Sequence, residues 1–384
     1  MNRVAIIGVG MTKVGRSSVS GVDLFVAAAK EAISDAGISP RDIQALYIGN
    51  VFGEFTEQQG NIGPLAATRL GLAGIPTARF ESACASSSVA FRNAYHAVRG
   101  GSYRVVLVGG TERLRTVDGS TLQEVFGLGM DRKYEAAIGN TFGGVFALMA
   151  RAHMAKYGTT EQDLAAIAVK NHFHGKRNPR AQFQQEITME TVLNSAKVAD
   201  PIKLYDCCPF SDGASALIMV SGEVAKDFPN RVCVEGSGQG TDRYLLSERS
   251  DLTFSQATYR AAQEAFAQAG LKPADVDVAE VHDCVTINEI LGLEALGFYP
   301  PGEGRRAAVE GNSYLGGRLP VNTSGGLKSR GHPIGATGVA QMVEIFDQLC
   351  GRAEGRQVPN AEIGLTQNVG GTGTVATVHV FRKY

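Results

Sequence analysis

Short apolar runs that end in glycine alternate along the chain with longer segments in which small apolar residues recur at helical spacing. The run Val4–Gly10 has the uninterrupted apolar character of a buried strand. Between Asp23, which can cap a helix, and Gly37, which can end one, alanines and Phe25 fall on one helical face. Strands that alternate with helices predict an α/β fold with a mainly parallel sheet and helical cover.

The same pattern continues to the end of the chain. It predicts further strands at 43–49, 103–110, 211–220, 232–238 and 363–371, and helices at 86–98, 143–157, 161–174 and 335–346. From about residue 114 to 199 the sequence is more polar, and we interpret this segment as an inserted loop domain folded over the sheet. The predicted domains are an N-terminal half (1–113 plus 200–230), the insertion (114–199) and a C-terminal half (231–384).

A long segment of the chain occurs twice. Residues 28–43 align with residues 261–276, with a shared Ala-Gly, then Pro, then Asp at fixed spacing. Each copy follows an apolar strand that ends in glycines and leads into another strand. The repeat is a large α/β unit and not a short solenoid repeat.

Extending this alignment pairs two turns that carry reactive side chains. The helix that follows Cys84 corresponds to the helix at 335–346, so the Cys84 turn corresponds to the turn 331–334, which contains His332. Two duplicated halves packed about a pseudo-twofold axis would bring both helix starts to one region. The repeat therefore predicts a thiol and an imidazole in one pocket.

Composition excludes several function classes. The chain has 384 residues and a formal net charge of −1 without long charged runs, which argues against binding of nucleic acid or of a membrane surface. Its six cysteines form no C-x-x-C pair, so neither a disulfide framework nor a zinc site is predicted. The N-terminus lacks the layout of a signal peptide and no apolar segment is long enough to span a bilayer, which predicts a cytoplasmic protein.

Four polar stretches lie at or just after the ends of predicted strands, where open α/β sheets place their sites. They are Cys84 and the segments 281–289, 324–333 and 368–373. A nucleophilic thiol needs a base within hydrogen-bond reach, and the repeat makes His332 the candidate. Acyl transfer also needs donors for an oxyanion, a role that suits the backbone N–H groups of Cys84 and Gly370.

With these residues in place, the chain resembles the thiolase superfamily, and most of all the branch that includes the thiolase domain of sterol carrier protein X. The resemblance covers essentially the whole chain and is carried by four motifs in order, at 83–88 (ACASSS), 282–285 (HDCV), 331–338 (GHPIGATG) and 368–371 (NVGG). It implies duplicated α/β halves in a layered α/β/α/β/α architecture with an inserted loop domain.

The resemblance also implies roles for the site residues. Cys84 would attack a thioester and carry the acyl group, and His332 would activate it. Better-known thiolases have a second cysteine where this chain has Asn368, and in the sterol carrier branch its acid/base role falls to the cysteine of His-Asp-Cys, here Cys284. His282 would stand where other thiolases use an Asn to hold an oxyanion-hole water.

The implied activity is reversible Claisen condensation and thiolysis of 3-ketoacyl-CoA through an acyl-cysteine intermediate. Acyl-CoA and acetyl-CoA would be substrates, with no permanently bound cofactor or metal. A homodimer or tetramer is expected, and a small OB-fold protein is a candidate partner.

Two alternative functions are a non-catalytic thiolase-like subunit that binds acyl-CoA and a condensing enzyme similar to HMG-CoA synthase or a ketosynthase. Retention of Cys84, Cys284 and His332 together argues against the first alternative, and the position of Cys284 argues against the second. Related retro-aldolases lack the equivalent of Cys84.

Other polar residues are assigned less specific places. The adjacent Cys207 and Cys208 are interpreted as packing residues beside a strand. His172 and His174 have the spacing of ligands but no companion ligands nearby in sequence, and are predicted to lie at the surface. The basic turn 176–180 is either a solvated face or a contact for CoA phosphates.

Overall fold

A computed structural model describes residues 3–384; residues 1 and 2, which the predicted N-terminal half includes, lie outside the described residues. The strands are β1 (Val4–Met11), β2 (Ala45–Gly49), β3 (Thr77–Phe80), β4 (Val105–Arg113), β5 (Lys197–Ala199), β6 (Ile202–Lys203), β7 (Asp212–Ser221), β8 (Val232–Thr241), β9 (Val278–Glu280), β10 (Ile363–Gly370) and β11 (Val375–Lys383). The helices are α1 (Gly21–Ala36), α2 (Gly53–Thr56), α3 (Ile62–Arg69), α4 (Ser86–Arg99), α5 (Gly119–Gly127), α6 (Phe142–Tyr157), α7 (Glu161–Gly175), α8 (Met189–Leu193), α9 (Gly222–Ala225), α10 (Gln256–Ala269), α11 (Thr286–Ala295), α12 (Arg306–Val309), α13 (Gly326–Ser329) and α14 (Thr337–Leu349).

Nine strands form one mixed sheet in the order β3-β2-β4-β7-β1-β8-β11-β10-β9. Only the pairs β2–β3, β2–β4 and β9–β10 are parallel, and the other five are antiparallel. The prediction of a mainly parallel sheet is therefore wrong. Parallel neighbours require a crossover connection, whereas β10 and β11 are joined by a short turn and β7 enters between β4 and β1 after the long 114–199 segment.

Three apolar cores separate the layers of the fold. One joins α1 and α3 to the outer face of β1, β2, β4 and β7, and another joins α10 and α11 to β10 and β11. Between them, the core around Phe91 of α4 and Phe346 of α14 contacts strands from both halves. The layered, duplicated α/β architecture is thus confirmed, while the domain boundaries at 113, 199 and 230 stay predictions. Within residues 3–384, no helix combines the length and apolar character needed to cross a membrane.

The internal repeat is also a repeat of backbone packing. A Cβ atom added to Gly10 in β1 would lie 2.2 Å from the carbonyl oxygen of Ala28 in α1. At Gly238 in β8 it would lie 1.9 Å from the carbonyl oxygen of Ala261, the residue of α10 that aligns with Ala28. In both halves the alanine-rich helix can approach its strand this closely only because the strand residue lacks a side chain.

Replacing Gly238 by alanine should destabilise the fold by about 2–3 kcal/mol, because the new methyl group meets backbone that has to move. The measurement is the shift in urea unfolding midpoint against the unchanged protein. Gly119→Ala is the control, since nothing lies within 4 Å of a Cβ there. Equal midpoints for the two variants would contradict this account of the repeat.

Candidate active site

Cys84 lies in a tight turn between β3 and α4. The preceding residue, Ala83, has a left-handed backbone with φ of 47°, which is uncommon for a residue with a side chain. The Ser86 hydroxyl holds the turn closed by donating to the Ala83 carbonyl oxygen at 2.6 Å and accepting from the Ser82 N–H at 2.9 Å. Only 9% of Cys84 is exposed. The turn therefore presents a nearly buried thiol at the start of α4.

His332 comes from the turn before α14, and its hydrogen bonds fix its tautomer. The Thr337 hydroxyl donates to the carbonyl oxygen of Pro333 at 3.1 Å. Its oxygen, 2.7 Å from Nδ1 of His332, therefore accepts a hydrogen bond from the Nδ1–H of that ring. The proton then sits on Nδ1, and Nε2 presents a lone pair. That Nε2 atom is buried and has no hydrogen-bond partner among residues 3–384.

His282 faces His332 from the loop after β9. Its Nδ1 atom lies 2.8 Å from the Asn368 amide nitrogen, which can only donate, so His282 carries its proton on Nε2. The two imidazole rings are 5.1 Å apart at 79°. Ligand atoms of Cys84, His282 and His332 all lie within 4.8 Å of one another. The structure thus brings together the thiol and imidazole that the internal repeat predicts, and adds a second imidazole.

Burial keeps all three groups neutral. Loss of solvation raises the pKa of Cys84 to about 12, an effect that the backbone N–H of Gly371 opposes by donating to the sulfur. Burial lowers the pKa of His282 to about 3 and that of His332 well below its usual value. The dipole at the start of α4 favours a thiolate, but desolvation outweighs it here. The thiol can lose its proton only as it reacts.

Gly370 and Gly371 lie directly against the Cys84 turn. A Cβ on Gly370 would be 2.3 Å from the carbonyl oxygen of Ser82, so only glycine lets the two backbones approach this closely. Gly371 has φ of 61° and aims its N–H at the Cys84 sulfur. The role of Gly370 as an oxyanion donor stays a prediction, with Gly371 as a neighbouring donor that the sequence did not single out.

Cys284 follows His282 in a loop that is held by hydrogen bonds to α13. The intervening Asp283 carboxylate accepts the backbone N–H groups of Leu327 at 2.7 Å and Lys328 at 3.3 Å. This fixes the His-Asp-Cys loop to α13. Burial raises the pKa of Cys284 well above its usual value, so this thiol is also neutral at rest.

Cys84, Cys284 and His332 line one cavity of about 830 Å³. Its walls are mostly apolar, and residues of α5 and α6 in the 114–199 segment form one side. Aromatic rings contribute much of the lining, including Phe126, which packs at 5.4 Å against Phe210. The site is therefore a mostly apolar pocket whose wall includes the reactive groups Cys84, Cys284 and His332.

Two further predictions about side chains have different outcomes. Cys207 packs against an apolar cluster as predicted, and both Cys207 and Cys208 also line the cavity. The Cys208 N–H donates to the Cys284 carbonyl oxygen at 2.9 Å. His172 and His174 are 2% and 0% exposed, so their prediction as surface residues is wrong. His174 accepts the Leu315 N–H at 3.1 Å and holds a loop in place. No pattern in the sequence marks these contacts.

The basic turn 176–180 is held by contacts within the protein. Arg180 donates to the Met11 carbonyl oxygen at 3.0 Å and pairs with Glu31 at 2.5 Å. Lys176 pairs with Glu186 at 3.2 Å. These contacts account for the turn without a ligand, and the residues that contact CoA stay unassigned.

Glu112 is a buried carboxylate that the sequence analysis did not single out. It accepts the backbone N–H groups of Val51 and Phe52, both at 3.0 Å, and that of Gly335 at 3.1 Å. Burial nevertheless raises its pKa to about 7. The contact ties the end of β2 in one half to the start of α14 in the other.

The three ligand atoms of Cys84, His282 and His332 are also close enough to hold a metal ion. Such an ion would occupy the lone pairs of the thiol and of the His332 base. Thiol chemistry and metal binding therefore exclude each other at this position.

Comparison with known proteins agrees with this geometry. A family model described as "Thiolase, N-terminal domain" matches residues 4–223, and one described as "Thiolase C-terminal domain-like" matches residues 238–383. The chain is 45% identical to an acetyl-CoA acetyltransferase of Methanothermobacter thermautotrophicus over 100% of both chains. It is 37% identical to sterol carrier protein 2 of Gallus gallus, over 97% of this chain and 70% of that one.

A solved structure described as "Ltp2-ChsH2(DUF35) aldolase" superposes with a TM-score of 0.85 at 28% identity, covering 99% of this chain and 98% of the other. The family resemblance expected from the four motifs is confirmed along both halves. The chain belongs to the thiolase family.

Proposed function

We propose that this chain is a thiolase-type acyl-CoA:acetyl-CoA C-acyltransferase in which Cys84 carries the acyl group. One observation above all supports this proposal: a thiol and an unpartnered imidazole nitrogen line a cavity that Cys284 also lines, and a second imidazole lies within 4.8 Å of both. The full-length similarity to proteins named acetyl-CoA acetyltransferase agrees with it.

In the first half-reaction, the Cys84 sulfur attacks the thioester carbonyl carbon while its proton moves to Nε2 of His332. Because both groups are neutral at rest, charge develops only as the new C–S bond forms. Backbone N–H groups of Cys84 and of the glycines at 370–371 would stabilise the oxyanion. Collapse breaks the bond to CoA, whose sulfur takes the proton from His332, and leaves acyl-Cys84.

In the second half-reaction, the Cys284 thiol first passes its proton to Nε2 of His332, which is neutral again once CoA has left. The resulting Cys284 thiolate removes the α-proton of acetyl-CoA. The enolate oxygen would accept a hydrogen bond from Nε2–H of His282, the proton position that Asn368 sets. The carbanion attacks acyl-Cys84, which forms the C–C bond and breaks the bond to the Cys84 sulfur. That sulfur takes the proton from His332, and the neutral resting groups are restored. Run backwards, the same steps are thiolysis of a 3-ketoacyl-CoA, so the geometry serves both directions.

The alternatives fit the site less well. A non-catalytic acyl-CoA-binding subunit has no need of a neutral thiol facing an unpartnered imidazole lone pair. A condensing enzyme similar to HMG-CoA synthase or a ketosynthase would not need Cys284 in the cavity. The aldolase neighbour raises retro-aldol cleavage as a further activity, but that reaction needs no acyl carrier, whereas Cys84 is placed to be one.

The remaining assignments are part of the same proposal. Coenzyme A thioesters are the substrates, and no cofactor is permanently bound. The enzyme acts as a homodimer or a dimer of dimers in the cytoplasm. A small OB-fold protein remains the candidate partner, and the description of the aldolase structure names a second component, ChsH2(DUF35).

Incubation with acetyl-CoA should add one acetyl group to the protein, and Cys84→Ser should lower the rate of this acylation by about three orders of magnitude or more. Intact-mass analysis measures the adduct. Cys350→Ser is the matched control, because it removes a thiol that packs at the end of α14 away from the cavity. Absence of the adduct in the unchanged protein would rule out the acyl-carrier role.

Cys284→Ala should still form the acetyl-enzyme but exchange the α-protons of acetyl-CoA about 100- to 10,000-fold more slowly, since the group that accepts the proton is gone. Deuterium incorporation from D₂O, followed by mass spectrometry, measures this. Cys207→Ala removes another cavity cysteine and should retain exchange. Exchange that survives in Cys284→Ala would exclude the assigned base.

Thr337→Val should lower the rate of Cys84 acetylation by about two orders of magnitude, because the His332 ring loses the acceptor that keeps the proton on Nδ1. Thr337→Ser retains the hydroxyl and should remain close to the unchanged protein. Rapid-quench mass analysis gives the rates. A Val variant as fast as the Ser variant would show that the tautomer is set in another way.

A further inference from the structure

Lys328 is a buried cation whose ammonium group contacts the loop that carries Cys284. It belongs to α13 and is 1% exposed. Its ammonium group donates to two backbone carbonyl oxygens, that of Asp206 and, at 3.3 Å, that of Cys284. The side chain therefore joins the loop of the proposed acid/base cysteine to the segment that leads to Cys207 and Cys208.

Unlike neighbouring buried cations, Lys328 has no carboxylate partner. Lys170 pairs with Glu289 at 3.0 Å and Arg330 with Glu280 at 3.4 Å. Among residues 3–384, no carboxylate oxygen lies within ion-pair distance of the Lys328 nitrogen. A buried ammonium without a counter-ion is costly, so its position beside reactive groups points to function.

The acidic residues on the two segments that Lys328 joins, Asp206 and Asp283, form hydrogen bonds with other groups. The Asp206 carboxylate accepts the Thr286 hydroxyl and the Lys203 N–H, both at 2.9 Å. The Asp283 carboxylate accepts the Asn171 amide at 2.7 Å besides the backbone N–H groups of α13. Both carboxylates therefore form hydrogen bonds that hold loops in place, and neither pairs with the Lys328 ammonium. The positive charge of Lys328 can therefore act on the side chains of the cavity.

The charges and thiols that act electrostatically on the Cys284 thiol come from several elements. They are the Cys208 and Cys84 thiols, the Asp283 carboxylate and the Lys328 ammonium. Of these charges and thiols, only Lys328 favours the thiolate, since it alone lowers the pKa of Cys284 against the effect of burial. The same ammonium also acts on Cys207, Cys208, His282 and His332.

We propose that Lys328 is a positioning residue for the carbon–carbon bond-forming half-reaction: it fixes the Cys284 loop through two carbonyl oxygens and stabilises the Cys284 thiolate with its charge. The inference rests on the proposed acid/base role of Cys284. The ammonium keeps its own protons. The proton transferred runs from the α-carbon of acetyl-CoA to the Cys284 sulfur, whose negative charge passes to the enolate.

The test compares Lys328→Met in the full-length protein with the unchanged enzyme. Methionine has a similar length without charge, so the variant should still form the acetyl-enzyme. Its α-proton exchange at pH 7 should fall at least about tenfold, with the midpoint of the pH–rate profile raised by about one to two pH units. Lys328→Arg retains the charge and should keep the midpoint close to that of the unchanged enzyme even where its rate is lower.

A second measurement does not depend on turnover. In a Cys84→Ser background, the pH midpoint for alkylation of Cys284 by iodoacetamide, followed by peptide mass spectrometry, should rise by a similar amount in Lys328→Met. If that variant does not fold, Lys328→Gln removes the charge while keeping N–H donors for the carbonyl oxygens. This readout separates failure of the Lys328 proposal from failure of the proposed function.

One contrary outcome in Lys328→Met is slower α-proton exchange while the pH midpoints of exchange and of Cys284 alkylation stay unchanged. That result would show that Lys328 is a structural residue and overturn the electrostatic proposal. Unchanged exchange in Lys328→Met would overturn it as well. A third outcome is an alkylation midpoint that rises in Lys328→Met although the unchanged protein forms no acetyl-enzyme. That outcome would support the role of Lys328 and contradict the thiolase activity.

Discussion

The close packing of two helix starts underlies the whole site. A Cβ on Gly110 would lie 2.0 Å from the carbonyl oxygen of Gly335, and one on Gly338 would lie 2.5 Å from the Ser88 side chain. The Val339 N–H donates to the Ser87 hydroxyl at 3.1 Å across the same contact. Because α4 and α14 meet with so little space between them, the turns that precede them hold Cys84 and His332 within reach of each other.

Burial then keeps Cys84, His282 and His332 neutral at this contact between the two helix starts. Hydrogen bonds from single neighbouring side chains choose the tautomers, with Thr337 acting on His332 and Asn368 acting on His282. The family resemblance implies that Asn368 stands where better-known thiolases have a cysteine, and His282 where they have an Asn. In this chain the Asn368 amide nitrogen lies 2.8 Å from Nδ1 of His282, so the two departures from the common pattern are in direct contact.

The sequence predicted the features that depend on local pattern and on the internal repeat. The repeat paired the Cys84 turn with the His332 turn, and the helices around 86–98 and 335–346 form close to their predicted bounds. The prediction of parallel strands was wrong because the position of β7 in the sheet depends on where the chain returns after the long 114–199 segment. Glu112, Lys328, His172 and His174 were missed or misplaced for a related reason: a polar residue becomes buried only through partners distant in sequence.

The pseudo-symmetry of the fold has a consequence for how such a site can arise. At Gly10 and Gly238 the two copies keep the same residue because packing requires it, whereas the equivalent turns hold a thiol in one copy and an imidazole in the other. Two identical half-length chains assembled about a true twofold axis would have to present the same side chain at both turns. A single chain that contains both copies can change each turn separately, so its covalent continuity is what permits a nucleophile and its base to face each other.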